Sequence, residues 1–229
     1  MFEIHASPRW RASFPGGQIG LLLLGEANNT PRETALEAYK RELEIRLRKQ
    51  YGGLSRADLL ELPVLQAYKA YYRSFNKTYH VQLQLESVVF KGRQLPSVSP
   101  LVDAVFAAEL ETLILTAGHD GDRLVPPVTI DASQGDESYT GLKGEHRRPK
   151  RGDMLMRDEQ GVVCTILYGQ DGRTPITERT KRALYVAYVP AGIEAEQVEA
   201  HLDRIEANVR LFAPWVDVEF REILLANRE

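Results

Sequence analysis

The residues in this 229-residue chain whose types and spacing point to chemistry lie mostly between positions 103 and 124. His119 follows Ala117-Gly118 and precedes Asp120 and Asp122. An imidazole, with an ordinary pKa of about 6.5, can orient or deprotonate a water, and a neighbouring carboxylate can fix its tautomer. Thr116 offers a hydroxyl to a substrate amino group or ribose, and backbone N–H groups around Ala117-Gly118 can receive a carbonyl oxyanion. Such a set suits hydrolysis of an already activated acyl ester, which needs a positioned water more than a strong nucleophile. The plainer reading of a loop His-Asp pair is a local hydrogen bond. For Asp103 the plainer reading is satisfaction of backbone near a helix start.

Other chemistries lack their residues. There is no Gly-rich Lys-Ser/Thr phosphate loop, no paired-glycine dinucleotide turn, no His-Glu-x-x-His and no Gly-x-Ser-x-Gly elbow. The five histidines never fall at metal-ligand spacing, so neither metal nor cofactor is expected. Cys164, the single cysteine, sits among Val162, Val163 and Ile166 and reads as a buried, inert thiol. It also excludes a disulfide framework.

The elements that must position these groups are legible from periodicity. Strands are expected at 2–6 and 18–24, and a capped helix from Thr30-Pro31-Arg32-Glu33 to Tyr51. A short helix at Ser55 and a helix at 63–75 with a Tyr-rich core stripe follow. The 79–91 stretch is ambiguous but ends like a helix at Lys91-Gly92, and another helix runs from Ser99-Pro100 to Thr112. Leu113 to Thr116 reads as a strand delivering a polar turn at 117–120, which would present His119 to solvent. Short strands are expected at 128–132, 137–140, 153–157, 162–168 and 183–189, then a helix over 194–212 and a strand over 215–223. Helices gathered in the first half and strands in the second favour an α+β fold over alternating βαβ units.

Composition narrows the partners. With 29 basic and 32 acidic side chains the formal net charge is −3, unlike a dedicated duplex-DNA binder. Nucleic-acid contact must come from local patches. His146-Arg147-Arg148-Pro149-Lys150-Arg151 is the densest, and Arg73, Lys77, Lys91 and Arg93 form a second; each has a solvated loop as its alternative. No apolar run approaches the roughly 20 residues of a membrane span, and no signal peptide is visible, so a soluble cytoplasmic protein is expected.

The order Val102-Asp103, an apolar helix, then His119-x-x-Asp122-x-Leu124 resembles the B3/B4 domain of bacterial phenylalanyl-tRNA synthetase β subunits. Ala132 to Glu137, the hairpin over Gly152 to Val163, and Thr177 to Pro190 continue the likeness, which covers roughly residues 77–193. The resemblance implies a layered fold, two stacked mixed sheets with helices on one side, with residues 1–76 packed on it in one domain. It also implies tRNA as partner and hydrolysis of mischarged aminoacyl-tRNA in trans, without synthetase activity. The family's editing histidine falls at His119 and its loop glycine at Gly169. Its Thr-Asn pair falls at Val105 and Phe106, and its tyrosine-reading glutamate at Tyr185, so those polar contacts are missing. His119, Thr116 and Asp120 are thus the catalytic candidates, and Val105, Phe106, Gly118, Gly169 and Tyr185 the candidate pocket. A non-catalytic tRNA-binding module and a binder of a free amino-acid-like ligand remain open alternatives.

Overall fold

In the computed structural model, which describes residues 3–29 and 34–226, a short strand β1 (Ile4–Ala6) turns into helix α1 (Pro8–Ser13). Ser7 caps that helix by accepting the Trp10 N–H, and Pro8 occupies its first turn. The sequence reading missed this helix because it spans six residues, too few to show a period. Strand β2 (Gln18–Gly25) is followed by helices α2 (Thr34–Tyr51), α3 (Arg56–Leu59), α4 (Pro63–Arg73), α5 (His80–Lys91) and α6 (Pro100–Thr112). The capping box expected at Thr30 to Glu33 lies outside the described residues. The ambiguous 79–91 stretch is helical, and Gly92 ends it in the left-handed conformation at φ 64°.

The strand-rich half comprises β3 (Thr116–Asp120), β4 (Val128–Ala132), β5 (Tyr139–Thr140), β6 (His146–Arg147), β7 (Met154–Asp158), β8 (Gly161–Thr165), β9 (Gly169–Gln170) and β10 (Ala183–Val189). Helix α7 (Ala195–Arg210) and strand β11 (Asp217–Leu225) close the chain. One sheet has the order β1-β4-β7-β8-β9 and is mixed, with β1 and β4 parallel. The other, β11-β2-β10-β3, is antiparallel throughout. The expected α+β, layered arrangement forms, but only one of these two sheets is mixed rather than both.

The core explains why β2 is a nearly unbroken apolar run. Ile19, Leu21 and Leu23 join the cluster shared with the five-stranded sheet, while Leu22 and Leu24 join a second cluster with α6 and α7. A strand buried on both faces has no polar side to show. Strand β10 does the same: Leu184, Val186 and Tyr188 go one way, Ala183 and Tyr185 the other. The tyrosines of α4 are core, as expected, with Tyr68 stacked on Tyr79 at 4.2 Å between centroids.

One expectation fails where it matters. Residues 117–120 are not a turn but most of β3, paired from Thr116 opposite Ala187 to Asp120 opposite Ala183. Their polarity suggested exposure, but the pairing with β10 takes up the backbone groups and internal partners take up the side chains. A buried Lys40–Asp103 pair, 2.8 Å apart, ties α2 to the start of α6. Asp103 also accepts the Val98 N–H at 2.8 Å, which confirms the plainer reading of that carboxylate.

Candidate functional site

A cavity of about 690 Å³ opens where β3, the β8–β9 corner and α6 meet. Val105 and Phe106 from α6, Thr116 and Gly118 from β3, and Gly169 at the corner all contribute to its wall. The five come from three separate stretches of sequence, and the fold brings these together. Gly118 packs closely: a Cβ there would lie 2.8 Å from Ile176 Cδ1 and 3.3 Å from Tyr185 Cε1, so both side chains would have to shift. Gly169 is required by conformation, since its φ of +78° is one that side-chain-bearing residues rarely adopt.

His119 is not in that wall. Its side chain is fully buried, and its backbone in β3 pairs with Leu184 of β10 on one side and with Pro175 on the other. Nδ1 lies 3.0 Å from Thr174 Oγ1, whose proton goes to Asp171 Oδ1 at 2.6 Å. Nδ1 therefore carries the proton, and Nε2 is left buried without a partner. Burial holds the pKa down to about 3, so the ring is neutral. The expected orienting carboxylates are elsewhere. Asp120 accepts from Thr180 Oγ1 at 2.8 Å and from the Asp122 N–H at 3.2 Å, while Asp122 meets Arg182 at 3.0 Å. The expectation of a solvent-presented His119 set by Asp120 or Asp122 is thus corrected.

Two further candidates are committed elsewhere. Tyr185 is sealed between β10 and α6, its hydroxyl donating to Leu101 O at 3.1 Å, and it does not reach the cavity. Thr116 touches the cavity, yet its hydroxyl lies 2.6 Å from His201 Nε2 and its N–H donates to Glu109 Oε1 at 2.7 Å. It is not free to hold a substrate group. Sequence reading missed this network because His201 sits within an amphipathic helix, 85 residues from Thr116.

The rim unites the two basic groups that the sequence keeps apart. Lys77 Nζ lies 4.8 Å from the Tyr168 ring centroid and Arg147 Cζ 5.9 Å from it, and Tyr168 lines the cavity. Lys150 Nζ donates to Phe75 O at 2.8 Å, joining the 146–151 run to the end of α4. Arg73, Arg148 and Arg151 are exposed on these same two segments. Lys91 is not brought in; it ends α5, eleven residues beyond the His80 that touches the cavity. His146 and Arg147 are not a free loop, since they form β6 against β5.

The model of the family described as the B3/4 domain matches residues 64–211, from the start of α4 to just past α7. This chain belongs to the B3/4 domain family. The match extends beyond the 77–193 span of the expected likeness at both ends. No curated protein matches the chain. Among solved structures, this B3/4 domain is similar to the N-terminal fragment of the phenylalanyl-tRNA synthetase beta-subunit from Pyrococcus horikoshii. That likeness has 12% identity and a TM-score of 0.46, covering 96% of this chain and 49% of that one. The chain therefore spans about half the length of that fragment. Among the described residues of this B3/4 domain, no group of three or more His, Cys, Asp or Glu side chains is placed to hold a metal. None of its described helices is long and apolar enough to cross a membrane.

Proposed function

We propose that this B3/4 domain binds tRNA, with the Lys77–Tyr168–Arg147 rim holding the 3′ end and the cavity beneath receiving the attached acyl group. The observation that carries this reading is the ring of Tyr168, shared between the two cations and the cavity wall. Cations that stand over an aromatic ring beside a pocket suit a single-stranded end, whose phosphates need positive charge and whose bases need a flat apolar face. The pocket's size falls within the roughly 300–1,000 Å³ typical of small-molecule sites, enough for an amino-acid side chain. Its wall is mostly apolar, which suits a hydrophobic acyl group.

The partner in this reading is a mischarged aminoacyl-tRNA met in the cytoplasm, and the reaction such a seat would serve is hydrolysis of its ester in trans. Residues 1–76 act with the rest as one domain, since Ile4, Trp10 and Leu21 share a cluster with Val186 and Leu224. The test is retention of tRNA on a filter across a salt series, for the unaltered chain and for Lys77→Ala/Arg147→Ala/Lys150→Ala. Salt-sensitive retention that the triple variant loses supports the reading. Equal retention by both, or none by either, overturns it.

A further inference from the structure

We infer that His80 is the general base of this site, taking a proton from the water that attacks an acyl ester seated in the cavity. The inference rests on the cavity being the acyl seat and goes further by naming the group that would do chemistry there. His80, the first residue of α5, contributes to the wall of the 690 Å³ cavity and also to that of a neighbouring one of about 390 Å³. Phe106 lies in both walls as well. Among the described residues, no other histidine lines either cavity and neither wall contains a carboxylate.

The tautomer follows from the partners. Tyr72 has one hydroxyl proton and donates it to Ile166 O at 3.1 Å. The 3.2 Å contact between Tyr72 Oη and His80 Nδ1 must then be donated by the imidazole. Nδ1 carries the proton and Nε2 carries the lone pair. Tyr72 is itself held in the core by Tyr79 and Tyr71, so the ring is oriented from behind by a fixed group. This is the arrangement of a base, an orienting partner and an open acceptor beside a pocket. Packing against Tyr72 and Tyr79 desolvates part of the ring and lowers the His80 pKa from its ordinary value. The cations nearby are Arg93 across the smaller cavity and Lys77 and Arg147 at Tyr168, and the carboxyl groups that act on Tyr72 from behind are the buried Asp153 and Glu109.

The step balances without a co-reactant. One water O–H proton moves to Nε2 as the water oxygen bonds to the ester carbonyl carbon. When the tetrahedral intermediate collapses, the carbon–oxygen bond to the ribose breaks. The departing ribose oxygen takes the proton back from Nε2, leaving a free carboxylic acid and an intact 3′ hydroxyl.

The experiment compares deacylation of tRNA charged with a panel of apolar and aromatic amino acids by the unaltered chain, His80→Ala and His80→Asn. Asn keeps an N–H near the Nδ1 position for Tyr72 but offers no base. The expected result is a fall of about 100-fold or more in kcat for both variants, with KM little changed and His80→Asn melting like the unaltered chain. The unaltered chain should also lose rate as pH falls below the histidine range, an acid limb that the residual rate of His80→Asn lacks. Unchanged kcat in His80→Asn, or no deacylation of any panel member by the unaltered chain, overturns the inference. Retention of tRNA is measured on the same preparations. Retention without deacylation removes His80's role and leaves the binding reading standing, whereas deacylation without salt-sensitive retention removes the rim reading instead.

Discussion

Thr116 and His201 meet at 2.6 Å across the junction of β3 and α7, and both are buried. Thr112 donates its proton to Ala108 O, so it accepts from His201 Nδ1–H, and His201 Nε2 is left to accept from Thr116. The pair is a structural rivet between helix and strand. Burial holds the His201 pKa down to about 3. Folded His201 therefore resists a proton that the unfolded chain takes up near 6.5. Stability from this group is full above that pH and is lost as pH falls towards 3, at up to about 1.4 kcal/mol per unit. Urea melts between pH 4 and 7 should show this acid-side slope together with that of His119, and His201→Gln should remove the His201 share.

Glu109 carries the opposite sign. It is fully buried and accepts the Thr116 N–H, and desolvation lifts its pKa from 4.5 to about 8. Folding therefore favours its protonated form, and stability falls as pH rises from about 4.5 to about 8. Glu109→Gln, which can still accept that N–H, should reduce this decline to the share left by Asp153, whose pKa burial raises to about 7. Chemical denaturation between pH 5 and 9 measures it.

The Lys40–Asp103 pair is almost sealed from water, and Lys40 is also bonded to Ser97 at 2.8 Å. Lys40 also meets Glu37 at 2.7 Å, so Asp103→Ala leaves it paired, whereas Lys40→Met strands the buried Asp103 carboxylate. Lys40→Met should therefore cost roughly 3–5 kcal/mol in equilibrium unfolding, and Asp103→Ala less. Replacing both together, as Lys40→Met/Asp103→Leu, should cost less than Lys40→Met alone, and a double-mutant cycle separates the two outcomes.

The Tyr188 hydroxyl is buried beside the Cys164 thiol, a weak hydrogen-bonding group, and has no stronger partner. Tyr188→Phe should thus leave stability unchanged or raise it by up to about 1 kcal/mol, the reverse of the usual loss for a buried tyrosine. Tyr68 provides the contrast. Its hydroxyl donates to Tyr188 O and accepts from the Leu115 N–H, so Tyr68→Phe should cost about 1–3 kcal/mol. Thermal melts of the two variants side by side decide the matter.

Along the rim, each lost phosphate contact should lower the slope of log affinity against log salt by about 0.7–1. Lys77→Ala and Arg147→Ala are expected to do so, whereas Lys91→Ala, set away from the rim, should not. His119→Ala should lower the melting temperature and leave tRNA retention unchanged, because the side chain is buried rather than facing the cavity.

The sequence by itself determined the elements whose pattern is local. The α4 stripe, the Gly92 stop of α5, the proline start of α6 and the apolar runs of β2 and β10 each follow from spacing or from one residue's conformational preference. The order of short motifs also carried the family. Tertiary structure alone decided which polar residues face the cavity. His119, Asp120 and Thr116 look exposed as a sequence because they are polar and flank a glycine. Pairing with β10 instead buries them, and Thr174, Thr180 and His201, 55 to 85 residues away, satisfy their side chains. His80 gave no local signal either. Its place at the cavity depends on Tyr72 holding one edge of the ring and on Ile166, 94 residues from Tyr72, fixing that hydroxyl's proton. Hydrogen-bond partnership across such separations is set by packing, and no periodicity in the chain encodes it.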